Sequence, residues 1–239
     1  MTRAELLQIA KPILFNTDMT VAILEDRKTV TRRLIKPQLS EECPVCKYVH
    51  NEYIYDVNAQ NIYCARCGEP LRHEKRAPYQ PGDILYVRET WCELSSGYEY
   101  KANGQTIDHL GNIMRWHPSI HMPKEAARIF LKVKDVRVEK LQDITEEQAL
   151  SEGVPDDTDY PISKVYCPRC HGDGLVGALS DSLGFMEVEC HECDTAVKRF
   201  KHLWDSTIKK SDLKLYGWDV NPWVWKIEFE RIEPQSEGE

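Results

Sequence analysis

Eight cysteines fall into four C-x2-C pairs, and this spacing constrains the chain more than any other feature in it. Cys43-Pro-Val-Cys46 and Cys64-Ala-Arg-Cys67 are separated by 17 residues, and Cys167-Pro-Arg-Cys170 and Cys190-His-Glu-Cys193 by 19. Two residues between thiolates let a tight turn aim both sulfurs at one tetrahedral ion, and two such knuckles close a four-cysteine zinc site. Turn chemistry agrees: Pro44, Pro168 and Gly68 sit at the knuckles, and Cys170 is followed by His-Gly-Asp-Gly. Disulfides would need an oxidising compartment, whereas the N-terminus MTRAELLQIAKPILFN carries Glu5 and Lys11 where a signal peptide needs an uninterrupted apolar run. The sequence therefore predicts two zinc ions, one per quartet, in a cytoplasmic chain. Four thiolates leave no open coordination position, so both ions are expected to be structural. His50, His73, His171 and His191 lie nearby, but the spacing does not need them as ligands. Cys92, in LYVRETWC, reads as a small buried hydrophobe.

The net charge of −8 makes the molecule as a whole repel nucleic acid and anionic membrane. Each cysteine segment, 41–76 and 164–201, holds five Lys/Arg against six Asp/Glu, which lacks the footprint of a phosphate binder. These segments are expected to staple long insertions or to offer a surface to a protein partner. One stretch departs from the acidic background. RKTVTRRLIK carries Arg27, Lys28, Arg32, Arg33 and Lys36 and no acid. A mean hydropathy of −0.53 and no long uncharged apolar stretch argue against a membrane span.

Outside the cysteine segments the pattern predicts a compact α+β unit. DMTVAILED spaces Met19, Ala22 and Ile23 as a short helix with Asn16 or Asp18 as N-cap, followed by a strand from Thr29 to Leu34. The turn Pro81-Gly82-Asp83 precedes a strand over Ile84–Trp91, and 128–138 alternate as a long strand. DITEEQALSEG reads as a helix with Thr145 and Gln148 in a capping box and Gly153 as its stop. Near the end Trp223, Trp225, Ile227 and Phe229 share one face, with Val224, Lys226, Glu228 and Glu230 on the other, as in a half-buried strand. Several strands, few helices and polar turns suggest a small barrel.

The run Asp26-Arg27-Lys28-Thr29-Val30-Thr31-Arg32-Arg33 resembles the ASCH domain signature G-x-K-x-x-x-x-R, with Asp26 standing where the family has Gly. PGDILYVRE, LQDITEEQALSEG and NPWVWKIEFERI follow in family order, and WHPSIHMPKEAARI adds similarity to ASCH-like proteins of bacteriophages and prophages. The resemblance implies an α+β fold built on a PUA-like small β-barrel with short helices, carrying the two four-cysteine, zinc-ribbon-like modules as insertions. In that layout the barrel takes 1–35, 80–153 and 203–233, the modules take 36–79 and 154–202, and 234–239 form a tail. Asp tolerates a positive φ better than most residues, so the turn at Asp26 is compatible with the family pattern.

The resemblance extends to small ASCH-type N4-acetylcytidine amidohydrolases, whose Lys, Thr and Glu match Lys28, Thr31 and Glu152. It implies Thr31 as nucleophile, Lys28 as base and Glu152 as acid in cleavage of an N-acyl amide. The neighbouring cations Arg27, Arg32 and Arg33 favour a neutral Lys28, and a place at the negative end of a helix favours a protonated Glu152. Residues three apart on a strand face opposite sides, so this reading needs Lys28 in the turn before the strand, or a bulge that re-aims one of the two. Arg32 and Arg33 are candidates for holding a ligand, and Glu89 for lining its pocket. Three functions are open: a hydrolase acting on an acylated nucleoside or RNA base, a non-catalytic reader of RNA or a modified base, and a phage interaction protein that docks a host protein through its zinc modules.

Overall fold

A computed structural model describes residues 1–49, 52–71, 76–107, 111–156, 167–171, 174–180 and 184–235. Its strands are β1 (Lys11–Leu14), β2 (Val30–Leu34), β3 (Tyr53–Asp56), β4 (Asn61–Cys64), β5 (Ile84–Arg88), β6 (Trp91–Leu94), β7 (Gly97–Tyr100), β8 (Phe130–Lys140), β9 (Leu175–Ser180), β10 (Gly184–Glu189) and β11 (Trp223–Ile232). The α-helices are α1 (Arg3–Ile9), α2 (Thr17–Leu24), α3 (Glu146–Ser151), α4 (Ala196–Thr207) and α5 (Leu213–Tyr216). The class is α+β. β1, β5, β8, β11 and β2 form one sheet in that order, and β3–β4, β6–β7 and β9–β10 form two-stranded sheets. β1 runs parallel to β5, and β5 antiparallel to β8. The three strands that the sequence places in one sheet system are therefore neighbours, but among the described residues the five-stranded sheet is open and does not close into a barrel. Among the described residues no helix is long and apolar enough to cross a membrane.

The chain divides into two compact units. The first comprises Met1–Thr29, Pro78–Val136 and Ile227–Glu239. Its core gathers Leu6, Ala10, Tyr86, Trp91, Met122, Ala126, Ala127 and Phe130. Local chemistry sets its helices. Thr2 and Glu5 form a reciprocal capping box at the start of α1, and the Asn16 side chain accepts from the Met19 amide at the start of α2. After α2 the chain turns at Asp26, whose φ of 57° is the left-handed conformation anticipated for that position. The expected strand from Ile84 to Trp91 is broken at Glu89. There the backbone N–H donates to the Met122 sulfur at 3.2 Å, and pairing resumes only at Trp91.

The second unit comprises Val30–Ala77 and Arg137–Lys226 and contains both cysteine quartets. The first quartet's hairpin packs into this unit: Tyr53 and Tyr55, two apart and so on one face of β3, meet Trp223 and Trp225, each pair at 4.9 Å between ring centroids. The start of β11 is buried on both faces, since Val224 and Lys226 are withdrawn along with Trp223 and Trp225. Alternation in the sequence implied only one covered face. Thr145 caps α3 by accepting from the Gln148 amide, and Gly153, at φ 87°, ends it. Gln148 does not return the capping-box bond recorded for α1; its side chain points to another partner, described next.

Candidate functional site

Each cysteine quartet is a cluster of four sulfurs lying within 4.8 Å of one another. Cys43 and Cys67 are 3.8 Å apart, Cys46 and Cys64 3.9 Å, Cys167 and Cys190 3.8 Å, and Cys170 and Cys193 3.4 Å. A tetrahedron with metal–sulfur bonds of about 2.3 Å has edges of about 3.8 Å, whereas a disulfide would bring two sulfurs to about 2.05 Å. The donor set and spacing thus fit one tetrahedral metal ion per cluster.

Three of the four knuckles share one backbone device. The residue after the second cysteine adopts a positive φ and donates its N–H to the carbonyl of the first. Lys47 donates to Cys43 at 3.0 Å, Gly68 to Cys64 at 2.9 Å and His171 to Cys167 at 3.0 Å, with φ of 58°, 70° and 54°. His171 is therefore a turn residue. His191 is exposed and pairs with Asp194 at 3.5 Å, and His50 and His73 lie outside the described residues. Within the first cluster the backbone N–H groups of Cys46 and Val45 outweigh burial and hold the Cys43 thiol down at about 6. At Cys67 the backbone N–H of Glu69 lowers, but burial and the sulfurs of Cys64, Cys46 and Cys43 push the thiol up to about 12. Burial pushes Cys167 and Cys193 up as well. Crowded sulfurs of this kind resist joint ionisation, and a central dication removes that resistance.

The second feature of this unit is a polar group built around Arg32, whose side chain is fully buried. Its Nε donates to Glu139 Oε1 at 2.7 Å, Nη1 to Glu152 Oε1 at 3.0 Å and Nη2 to Gln148 Oε1 at 2.8 Å. β2, the end of β8 and α3 each contribute a side chain, and the guanidinium lies 5.9 Å from the centre of the Phe200 ring on α4. A buried guanidinium is costly unless its donors are met, and here all three nitrogens are. The sequence placed Glu152 at the end of a helix and Arg32 in a cationic run, and the structure joins them. Alternation along β2 sends Thr31 and Arg33 to one face and Arg32 to the other, and the Arg32 side chain meets Glu152. Thr31 is buried and Arg33 half-buried.

In the first unit Lys28 lies in the short segment between α2 and β2. It is buried, its N–H donates to the Ala22 carbonyl at 3.0 Å, and its ammonium lies 5.6 Å from the Phe15 ring centre. The run around it is less cationic than its sequence suggests. Arg27 pairs with Glu25 at 2.9 Å, Arg32 has its two carboxylates, and Lys36 lies over Tyr216. Glu89 is buried with both oxygens engaged by Arg128, each at 2.9 Å, and Arg128 also stacks 4.0 Å from Tyr100 and donates to Asn103 at 2.7 Å. Burial pushes the Glu89 carboxyl up, opposed by Arg128. Glu89 is thus held by a bidentate pair with Arg128.

No protein-family model, curated protein or solved structure matches the chain.

Of the eight buried polar or charged side chains among the described residues, five are sequence candidates: Lys28, Thr31, Arg32, Glu89 and Glu152. Sequence reasoning missed Glu139, Gln148 and Arg128, which complete the two ion-paired groups. Gln148 did carry a signal, through its place in the capping box. It also missed Arg199, buried on α4, which donates to the Cys193 carbonyl at 3.1 Å and so ties the second cluster to that helix.

Proposed function

We propose that the protein is an ASCH-like, PUA-related factor directed at a modified nucleoside or RNA base, with one structural zinc ion on each cysteine quartet. The observation that carries the reading is the withdrawal of Lys28, Thr31, Arg32 and Glu152 from solvent. Lys and Glu are seldom fully buried, because desolvating them is expensive, and sites of chemistry or recognition are where that cost is commonly borne. The chemistry best suited to these residue types, and implied by the resemblance, is hydrolysis of an N-acyl group. Thr31 would supply the nucleophilic oxygen, Lys28 the base and Glu152 the proton for the leaving nitrogen. Zinc is the natural occupant of an all-thiolate tetrahedron, which has no room for a catalytic water.

One observation favours a second reading, recognition without turnover. Arg32 holds Glu152 as a hydrogen-bond acceptor, which suits reading an N–H edge of a base better than donating a proton. The deciding experiment incubates zinc-loaded protein with N4-acetylcytidine and follows acetate and cytidine by chromatography. Release that disappears in Thr31→Val supports the hydrolase. Saturable binding without release supports the reader, and neither binding nor release rejects both.

A further inference from the structure

The two cysteine clusters differ in a way that their shared spacing conceals. All four cysteines of the second cluster are buried, whereas in the first only Cys43 and Cys64 are, and Cys46 and Cys67 are exposed. The exposed pair comes from different knuckles, and each member sits across from a buried one: Cys46 from Cys64 at 3.9 Å, Cys67 from Cys43 at 3.8 Å. An incoming ligand therefore meets one solvent-exposed cysteine on each arm of the first cluster. Around the second cluster such an approach is blocked. Val176 packs against its sulfurs. The last knuckle is also gripped by α4 through three side chains: Arg199 donates to the Cys193 carbonyl at 3.1 Å, Lys198 to the His191 carbonyl at 2.8 Å, and the His202 ring lies 2.9 Å from the Glu192 carbonyl.

We infer that the two ions are held with different permanence. The cluster of Cys43, Cys46, Cys64 and Cys67 is an exchange site for thiophilic divalent cations such as Zn2+ and Cd2+. The cluster of Cys167, Cys170, Cys190 and Cys193 is a locked structural site. Exchange is a ligand substitution: one dication enters as another leaves, the four thiolates are retained and no electron moves. Accessible thiolates are attacked and buried ones are not, so exposure at the sulfurs sets the rate. The inference rests on the zinc assignment above.

The test adds CdCl2 to full-length, zinc-loaded protein. It follows thiolate-to-cadmium charge-transfer absorbance together with released zinc. Expected are two phases, one of the two ions exchanging rapidly with unchanged circular dichroism and the other only slowly. Cys46→Ser should lose the fast phase. Because that variant can also misfold, wild-type protein is labelled in parallel with N-ethylmaleimide, and the modified cysteines are mapped by mass spectrometry after brief chelation. Cys46 and Cys67 should label first, with Cys167, Cys170, Cys190 and Cys193 protected. A single exchange phase for both ions, or first labelling at the second cluster, overturns the inference while leaving the zinc assignment intact. Protein that carries no zinc and takes up no cadmium overturns both.

Discussion

Arg32 and Glu152 meet across 3.0 Å with both side chains buried, and they lie 120 positions apart in the chain. Removing one partner of such a pair strands a charge in the interior. Arg32→Met is therefore expected to destabilise the protein by about 3–5 kcal/mol. Urea unfolding monitored by tryptophan fluorescence measures this, and adding Glu152→Gln to the variant should recover part of the loss. A loss within about 0.5 kcal/mol, the range of ordinary surface substitutions, would show that the pair is not buried in solution.

Glu89 gives a pH signature of defined sign. Burial raises its carboxyl above the ordinary value, so the folded state holds the proton more tightly than the unfolded chain does. The stability that this contributes is complete below the unfolded value and is lost as pH rises through the raised folded one. Relative to Glu89→Gln, the wild type should thus lose stability as pH climbs out of the acid range and then level off. Thermal unfolding of both proteins across that range provides the comparison, and parallel curves would contradict it.

Metal removal should act mainly on the second unit, which contains both quartets. Structural zinc in small domains carries on the order of 10 kcal/mol of folding free energy, comparable to the whole stability of a domain. Fully stripped protein should lose the contacts of Tyr53 and Tyr55 with Trp223 and Trp225 and show altered tryptophan emission, restored by adding zinc. Elemental analysis of freshly purified protein should give about two zinc ions per chain, one for each closed thiolate tetrahedron.

Gly217 allows a purely steric test. A Cβ there would sit 2.6 Å from the Leu213 carbonyl oxygen, a backbone atom that cannot swing aside. Gly217→Ala should cost about 1–3 kcal/mol by forcing α5 to move. By contrast, the 2.7 Å clash awaiting a Cβ at Gly177 is with the exposed ring of Phe185, which can rotate away, so Gly177→Ala should be nearly neutral. Denaturation midpoints of the two variants separate these cases.

Features encoded over a few residues were legible from the sequence. The C-x2-C knuckles, the Asn16 and Thr145 caps, the stop at Gly153 and the positive φ at Asp26 all follow from local chemistry. Partnerships across the chain were not. Glu139 and Gln148 reach Arg32 from 107 and 116 positions away, and nothing near them in the sequence announces it. Gln148 was legible only as half of a capping box, because its competing partner, Arg32, lies on a strand far away in the chain. The strand through Trp223 read as half-buried since alternation reports one side chain at a time and cannot say which distant segment covers the second face. For the candidate site, the residue types were readable, but the pairing of Glu152 with Arg32, which changes what Glu152 can do, was not.

Asp26 occupies a left-handed turn and also receives the Arg231 guanidinium at 3.2 Å from β11. A glycine in that position would hold the turn through freedom of its backbone, a property that added salt does not touch. With aspartate the bend before Lys28 carries, besides its backbone bonds into α2, one exposed ion pair for which mobile ions compete. The ionic medium thereby gains a small hold on the bend before Lys28 that it would not have over a glycine there.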